Sequence, residues 1–244
     1  MISKPTFSFV LPCYNKVEIT YGYCQRALAS IYEHTKEPFE VIVVDNRSPE
    51  HENMTTQQLR DELWGRATVI QVPQNIGFGA ACNLGFRLAQ GDYLVCMNTD
   101  AELVEDSASM LRDAMKLHNL VVGFPESWDN CQHYGLGKDD RVMHEWFFGA
   151  FWVGDRRIIV DEMGGFDPYY EMCYFEDTDL WSRLFKAGYQ LAGWRGTWVK
   201  HKGNASALPE INDLLLANRE RYFKRWGVYT VVKSHQPQSL AVTA

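Results

Sequence analysis

The amino-acid sequence predicts an α/β protein with a doubly wound, largely parallel sheet, and three observations carry that prediction. Phe7 to Leu11 is an apolar run ending at Pro12. Phe39 to Val44 is a β-branched run that stops at Asp45-Asn46-Arg47-Ser48, so both read as buried strands. Between them Ala27, Leu28 and Ile31 fall at helical spacing within Tyr21 to Ile31, which makes the opening order β-α-β. A helix connecting two such strands makes them parallel, with a right-handed crossover.

The alternation then continues. A helix is expected over Gln57 to Leu63, a strand over Ala67 to Val72, a small-residue helix near Gly79 to Ala89 and a strand over Tyr93 to Met97. Beyond residue 100 the pattern loosens. Asp106 to Leu117 reads as a helix, Leu120 to Phe124 as a strand, and Ser127 to Asp140 as a polar, turn-rich stretch. A strand over Glu145 to Val153, helices near Arg156 to Met163 and Glu176 to Ala187, a strand over Tyr189 to Ala192 and a last helix over Pro209 to Trp226 complete the chain. No internal repeat, low-complexity tract or long linker divides it, so residues 1–227 are expected to form one domain, with halves at 1–100 and 101–227. Residues 228–244 are expected to be a tail.

Composition narrows the function. The 244 residues are 46% hydrophobic and 23% charged, which is globular composition and excludes fibrous and wholly disordered readings. The longest apolar run, Phe147 to Gly154, is far short of the roughly 20 residues a membrane helix needs. Met-Ile-Ser-Lys-Pro-Thr at the start carries no apolar signal core, so a cytoplasmic, reducing location is expected. None of Cys13, Cys24, Cys82, Cys96, Cys131 and Cys173 forms a C-x-x-C pair, and inert thiols are expected. The net charge of −7 is uneven: residues 1–182 hold 14 Lys and Arg against 28 Asp and Glu, whereas residues 183–244 hold 10 against 3. Arg219, Arg221, Lys224 and Arg225 make the last helix either a surface for something anionic or a solvated counterweight to an acidic body.

In an open parallel sheet ligands bind at the carboxyl ends of strands, so polar residues just after strands come first. Those are Pro12 to Asn15, Asp45-Asn46, Asn98-Thr99-Asp100 and Lys200-His201. Asp45 is placed to accept from an N–H of a nucleobase or to cap the turn that follows. Asp100 is placed to hold a hard divalent cation or to cap a helix. Asn75 to Asn83 opens a helix with small residues whose free N–H groups suit a phosphate. Gly77 and Gly79 invite a dinucleotide reading, but Cys82 occupies the third glycine position and Pro73 to Ile76 separate them from the strand. The densest signal is Glu176, Asp177 and Asp179, three carboxylates in four residues at a helix start. Such crowding either builds a general base or simply favours a negative first turn.

These residues resemble a known family. Phe9-Val-Leu-Pro12-Cys-Tyr14-Asn15, Val41-Ile-Val-Val-Asp45-Asn46, Asn75-x-Gly77-Phe78, Asn83-x-Gly85, Gly91-Asp92-Tyr93, Asn98-Thr99-Asp100, Gly165-Phe166-Asp167, Glu176-Asp177-x-Asp179-Leu180 and His201 occur in the order found in family 2 glycosyltransferases. The rhamnosyltransferase-like branch is the most similar, and the likeness runs from about Ser8 to Trp226.

The resemblance implies a GT-A fold, a doubly wound, mostly parallel sheet with a smaller sheet on the acceptor side. It implies that residues 1–100 bind a nucleotide-diphosphate sugar of UDP, dTDP or GDP type and that 101–227 carry the acceptor and the catalysis. Pro12, Tyr14, Asn15, Asp45, Asn75, Gly77, Asn98 and Thr99 would then line the nucleotide site. Asp100 and His201 would hold Mg²⁺ or Mn²⁺, and Asp177 would be the catalytic base, with Glu176 or Asp179 orienting loops or acceptor. Asn98 departs from the family's paired carboxylates, so one carboxylate faces the metal. Tyr222 stands where the processive members have Gln before Arg225-Trp226, which implies transfer of a single sugar. Gly149, Ala150, Trp146 and Trp181 are candidates for the sugar and acceptor pockets, with half of the surrounding aromatic side chains expected in the core. The acceptor is expected to be a glycan or lipid-linked saccharide. Hydroxymethylated DNA is the alternative, and a catalytically silent sugar-binding module a second.

Overall fold

In the computed structural model the described residues are 4–14, 18–49, 56–63, 65–127, 141–142, 149–203 and 211–227. Strands β1 (Phe7–Cys13), β2 (Phe39–Asp45), β3 (Thr68–Gln71) and β4 (Tyr93–Met97) alternate with helices α1 (Glu18–His34), α2 (Thr56–Glu62) and α3 (Phe78–Leu88). A short strand β5 (Ala101–Leu103) and helix α4 (Ser107–His118) follow, then β6 (Val122–Ser127), β7 (Arg141–Val142) and β8 (Phe151–Asp155). A π-helical turn at Arg157–Glu162, helix α5 (Glu176–Lys186), strand β9 (Leu191–His201) and helix α6 (Ile211–Trp226) end the described chain. No described helix is long and apolar enough to cross a membrane.

The main sheet has the order β3-β2-β1-β4-β8-β6-β9. The neighbours β3, β2, β1 and β4 run parallel, as the β-α-β alternation requires, whereas β8 is antiparallel to both β4 and β6. The apolar run through Phe151 to Gly154 fits either direction, because a strand covered on both faces is apolar throughout. At eleven residues β9 outgrows the expected Tyr189 to Ala192. Its first part pairs with β6 and β7, and its end pairs antiparallel with β5, where Ala101 lies opposite His201. This β5–β9 pair is the smaller sheet.

Side chains alternate between the two faces with the period of two that strands impose. Phe7, Phe9, Leu11, Val41 and Val43 pack under α1 and α4 with Ala27, Ile31, Leu111 and Met115. Val10, Ile42, Val44, Leu94 and Cys96 pack on the other face with Phe86, Trp152, Phe166, Leu180 and Trp181. Each fully buried large side chain contributes roughly 1.5–3 kcal/mol. The helix expected at Arg156 to Met163 is wound wider than an α-helix. Met163 N donates to Ile158 O at 3.0 Å, and the left-handed Gly164 and Gly165 close the turn.

Helix α3 approaches β1 closely because residue 85 has no side chain: a Cβ there would lie 2.3 Å from Val10 Cγ1. Val10 is fully buried and β-branched, so it has no rotamer into which to retreat. Gly85→Ala is expected to lower stability by about 1–3 kcal/mol, the range for overpacking. Urea unfolding checks this, and an unchanged midpoint would show that α3 shifts freely.

Candidate active site

The carboxyl ends of β1, β2 and β4 and the start of the antiparallel β8 meet along one edge of the sheet. Cys13 and Asp45 are register partners at that edge. Pro12 is buried within β1 and Tyr14 follows β1 half-buried. Asp45 is 1% exposed; Oδ1 accepts from Ser48 N at 2.9 Å, and Oδ2 accepts from the Gln71 amide at 3.3 Å. The turn-capping role open from the sequence is therefore present, and Gln71 from β3 fixes the other oxygen.

Beside it Asn46 organises the turn before α3. Its Nδ2 donates to Asn75 Oδ1 at 2.9 Å and to Gly77 O at 3.2 Å, and its Oδ1 accepts from Ile76 N at 2.8 Å. Asn75 Oδ1 also accepts from Gly77 N at 2.9 Å. Asn46 and Asn75 thus fix a turn whose Gly77 has φ of 86°. A Cβ on Gly77 would meet the Met172 backbone at 2.7 Å, so only glycine permits this contact.

At the end of β4, Asn98 N donates to Ala150 O at 2.8 Å, which ties the Asn98–Asp100 segment to the start of β8. Thr99 is buried there. Asp100 Oδ1 lies 3.2 Å from His201 Nε2, because the β5–β9 pairing brings the two strand ends together. Two ligands at right angles on an octahedral ion, with bonds of about 2.1 Å, sit about 3 Å apart, so this pair fits one small divalent cation. The buried Asn98 Oδ1 has no hydrogen-bond partner among the described residues. No third His, Cys, Asp or Glu joins the pair among the described residues. Mg²⁺ and Mn²⁺ commonly complete such shells with phosphate oxygens and water.

Asp177 stands in the first turn of α5. Its Oδ2 accepts from Gly149 N at 3.0 Å and its Oδ1 from Thr178 N at 2.7 Å. A Cβ on Gly149 would come within 3.1 Å of Oδ2, so glycine makes room for the carboxylate. Burial pushes the Asp177 carboxyl above its ordinary value, against hydrogen bonds from Thr178 and Gly149 that pull it down. Glu176 is buried with Oε2 unpartnered, and burial, then the Asp177 charge, drives its carboxyl well above the ordinary range. It packs against Gly79 at the head of α3.

The turn leading into α5 is unusual. Met172, Tyr174 and Phe175 have φ of 60°, 74° and 69°, the left-handed region. For residues with a side chain this costs roughly 1–2 kcal/mol each. Such strain persists only where neighbours over-determine it.

A family model described as "Glycosyl transferase family 2" matches residues 8–161. This chain belongs to glycosyl transferase family 2. The matched stretch holds Asp45, Asn75, Gly77, Asp100 and Gly149 and ends before Asp177 and His201. An uncharacterized glycosyltransferase of Haemophilus influenzae is 25% identical over 121 residues, half of this chain and 46% of that protein. The succinoglycan biosynthesis protein ExoW of Rhizobium meliloti is 37% identical over 100 residues, 37% of this chain and 28% of that protein. The alignments therefore span less than half of either relative. GalNAc-T7, solved with UDP, GalNAc and Mn²⁺, superposes with a TM-score of 0.72 at 16% identity, covering 91% of this chain and 48% of that one. The mannosyltransferase PcManGT of Pyrobaculum calidifontis, solved with GDP-Man and Mn²⁺, gives 0.68 at 18% identity, covering 91% and 65%. At these identities the GT-A fold is what is shared.

Within this family 2 chain several expected positions have other duties. Asp179 has no exposed surface: its oxygens accept from Tyr170 Oη, Trp226 Nε1 and Arg183 Nε at 3.2, 2.8 and 2.7 Å. It joins α5 to α6 and is not open to a sugar. Trp181 is core, edge-on to Trp152 and Phe124 with ring centroids 5.4 and 5.1 Å apart, so it is no pocket wall either. Ala150 is buried and contributes its carbonyl to Asn98. Asn15 and Trp146 lie outside the described residues, as does most of the polar Ser127 to Asp140 stretch. Two of the four cations named in the last helix meet carboxylates of this chain: Arg221 pairs with Glu171 at 3.1 Å, and Arg225 pairs with Asp167 and lies 3.4 Å from Asp179. Gln71 and Asn218 were not singled out in the sequence, because lone amides carry no spacing signal.

Glu176 yields a stability prediction. Burial and the Asp177 charge raise its folded carboxyl above the unfolded value near 4.3, so the folded state loses stability as pH rises above that value toward the raised one. Glu176→Gln keeps the shape in a permanently neutral form. It is expected to raise the melting temperature at pH 7 by a few degrees and to flatten the melting curve between pH 5 and 7.5. An equal or lower melting temperature at pH 7 would show that the charged form is accommodated.

Proposed function

We propose that this protein is an inverting, metal-assisted glycosyltransferase that moves one sugar from a nucleotide-diphosphate donor to an acceptor hydroxyl. The observation that carries the reading is a continuous set of contacts: Asp100 beside His201, Asn98 bonded to Ala150, and Gly149 bonded to Asp177. A cation-binding pair and a carboxylate base therefore face the same stretch of chain. In this reading residues 1–100 hold the nucleotide, with Tyr14, Asn15 and Asp45 at the base and the Asn75–Gly77 turn at the phosphates, and 101–227 hold the acceptor.

Asp177 then removes the acceptor proton at Oδ2, while N–H groups of Gly149 and Thr178 fix the carboxylate plane. Partial desolvation makes this carboxylate a stronger base than a free aspartate. Asp100 and His201 are the residues that hold Mg²⁺ or Mn²⁺, which when bound offsets charge on the departing diphosphate. Holding donor and acceptor in line supplies much of the remaining acceleration. Transfer of a single sugar, as in the rhamnosyltransferase-like branch, accords with Tyr222, whose hydroxyl pairs with Ser182 at 2.7 Å inside the fold. A cytoplasmic place of action belongs to the same reading.

A glycan or lipid-linked saccharide is the acceptor this reading favours. Two of the four cations that would have gripped a DNA backbone, Arg221 and Arg225, are already paired with carboxylates of this chain. The succinoglycan relative accords with a glycan as well. Neutralising Arg219 and Lys224 is expected to leave acceptor KM unchanged at 50 and 200 mM salt, since a phosphate-gripping residue would reduce the salt slope by about one unit each. A rise in KM that depends on salt would restore the DNA acceptor.

The base is tested by Asp177→Asn. Turnover is expected to fall at least a hundredfold while Mn²⁺-dependent nucleotide binding stays within twofold. The wild-type rate should fall as pH drops through the raised Asp177 value, giving an acid limb above the ordinary aspartate value near 3.9. A variant retaining a tenth of the rate would exclude Asp177 as the base. Asp100→Ala and His201→Ala are each expected to abolish the gain in UDP affinity on adding Mn²⁺, read by calorimetry. Persistence of that gain in both would place the ion elsewhere.

A further inference from the structure

Asn218 stands in the middle of α6 with no exposed surface, and nothing in the reaction as described uses it. Its Nδ2 donates to two main-chain carbonyls, Glu171 O and Cys173 O, both at 2.8 Å. Its Oδ1 accepts from Arg221 Nη1 at 2.7 Å. The orientation of the amide follows from its neighbours, since carbonyl oxygens require the NH₂ and a guanidinium requires the oxygen. Both donations are directed at one turn, the left-handed stretch that precedes Asp177.

We propose that Asn218 is a positioning residue for Asp177, acting through the turn Glu171–Phe175. The proposal rests on the reading of Asp177 as the base. Asp179 N donates to Phe175 O at 2.9 Å, the first helical bond of α5, so the orientation of Phe175 sets the direction of the first helical turn and hence of the Asp177 side chain. Three left-handed residues in four do not hold that orientation unaided. From one side Phe78 N donates to Met172 O, with the Gly77 backbone against Met172. From the other side Asn218 takes the flanking carbonyls, 171 and 173. The turn is thus held between the α3 head, where the nucleotide phosphates are proposed to lie, and α6.

The bonds of Asn218 are separable from the docking of α6. Trp226 Nε1 on Asp179, Tyr222 Oη on Ser182 and Arg225 on Asp167 fasten α6 to the body without it. Removing the two donations should therefore release the turn while leaving the helix in place. A misplacement of about 1 Å at a reacting group costs on the order of a hundredfold in rate, so release of the turn falls on turnover more than on binding.

Asn218→Asp is the test, because it keeps the shape and the Arg221 contact but turns two donors into an acceptor. The expected result is a fall in kcat of about tenfold or more, with the Kd values of UDP, dTDP and GDP in Mn²⁺ within twofold of wild type. Amide exchange at Gly149 and Thr178, which donate to Asp177, should quicken while β1 and β2 stay protected. Asn218→Ser, which keeps one donor, should fall between the two proteins. Wild-type kcat in Asn218→Asp, where Asp177→Asn is inactive, would overturn the proposal. Equal losses of kcat, nucleotide affinity and sheet protection would overturn it too, as would failure of both variants to fold, since the bonds would then serve the fold at large. If Asp177→Asn proves active the base reading fails instead, and exchange at Thr178 still reports whether Asn218 holds the turn.

Discussion

A carboxylate without exposed surface governs the second half of this chain. Asp179 accepts from Tyr170, Trp226 and Arg183, with Arg225 close by, so groups from the 163–170 loop, α5 and α6 converge on two oxygens. A buried charge stripped of its partners costs several kcal/mol, whereas a fully satisfied one is tolerated. The interaction is therefore conditional on all the donors arriving together. Arg183 extends the set, since its other nitrogens donate to Met163 O and Gly165 O at 2.7 Å and fix the end of the π-helical turn. Asn83 of α3 takes the next residue in both directions, donating to Phe166 O at 2.7 Å and accepting from its N–H at 2.8 Å. Through this sequence of bonds, one buried aspartate sets the framework on which its neighbour two residues earlier is presented.

The contrast between Asp177 and Asp179 shows how position on one helical turn separates roles. Both carboxylates lie in the first turn of α5, where the helix dipole favours negative charge. Two residues apart on a helix they point to opposite sides. Asp179 points into the interior and meets an arginine, a tyrosine and a tryptophan. Asp177 points toward Gly149, meets main-chain N–H groups and keeps its oxygens near the strand edge. Glu176 fills the remaining direction, against Gly79 and away from any donor to Oε2. Three acidic residues that look equivalent in sequence thereby meet three different surroundings: side-chain donors around Asp179, main-chain N–H groups around Asp177 and a buried, partly unpartnered place for Glu176.

Much of the fold was legible because it follows from periodicity. The strands of the β-α-β opening, the α3 and α4 helices and the strand at Tyr93–Met97 were read within a residue or two and α1 within three at each end, and the motif order named Asp100 and His201, which the structure brings to 3.2 Å. The direction of β8, the length of β9 and the three-residue β5 were not legible, since a short apolar run looks the same parallel or antiparallel and pairing partners lie from 54 (Met97 and Phe151) to 100 (Ala101 and His201) residues apart. The left-handed turn was equally hidden. Met172, Tyr174 and Phe175 are not residues that prefer that conformation, so tertiary contacts impose it against local preference. The burial of Asp179 and Trp181 was hidden for the same reason, as the side chains that enclose them come largely from remote segments.

The charge asymmetry is a case of the same kind. Seven excess positive charges in the last quarter look like a surface awaiting an anionic partner, but the sequence carries no record of which acidic residues they meet. Arg183, Arg221 and Arg225 all turn toward carboxylates of residues 167–179, and Arg219 lies over the Phe223 ring. Part of the acidic excess of the body and part of the basic excess of the tail are thus two sides of one intramolecular interface. Its exposed pairs contribute little stability individually, typically below about 1 kcal/mol. What they supply is registry: with Asn218 and Trp226 they fix where α6 lies along α5. With Arg221 and Arg225 paired to Glu171 and Asp167, just ahead of the left-handed turn, the same face of α6 that carries Asn218 is committed to contacts within this chain.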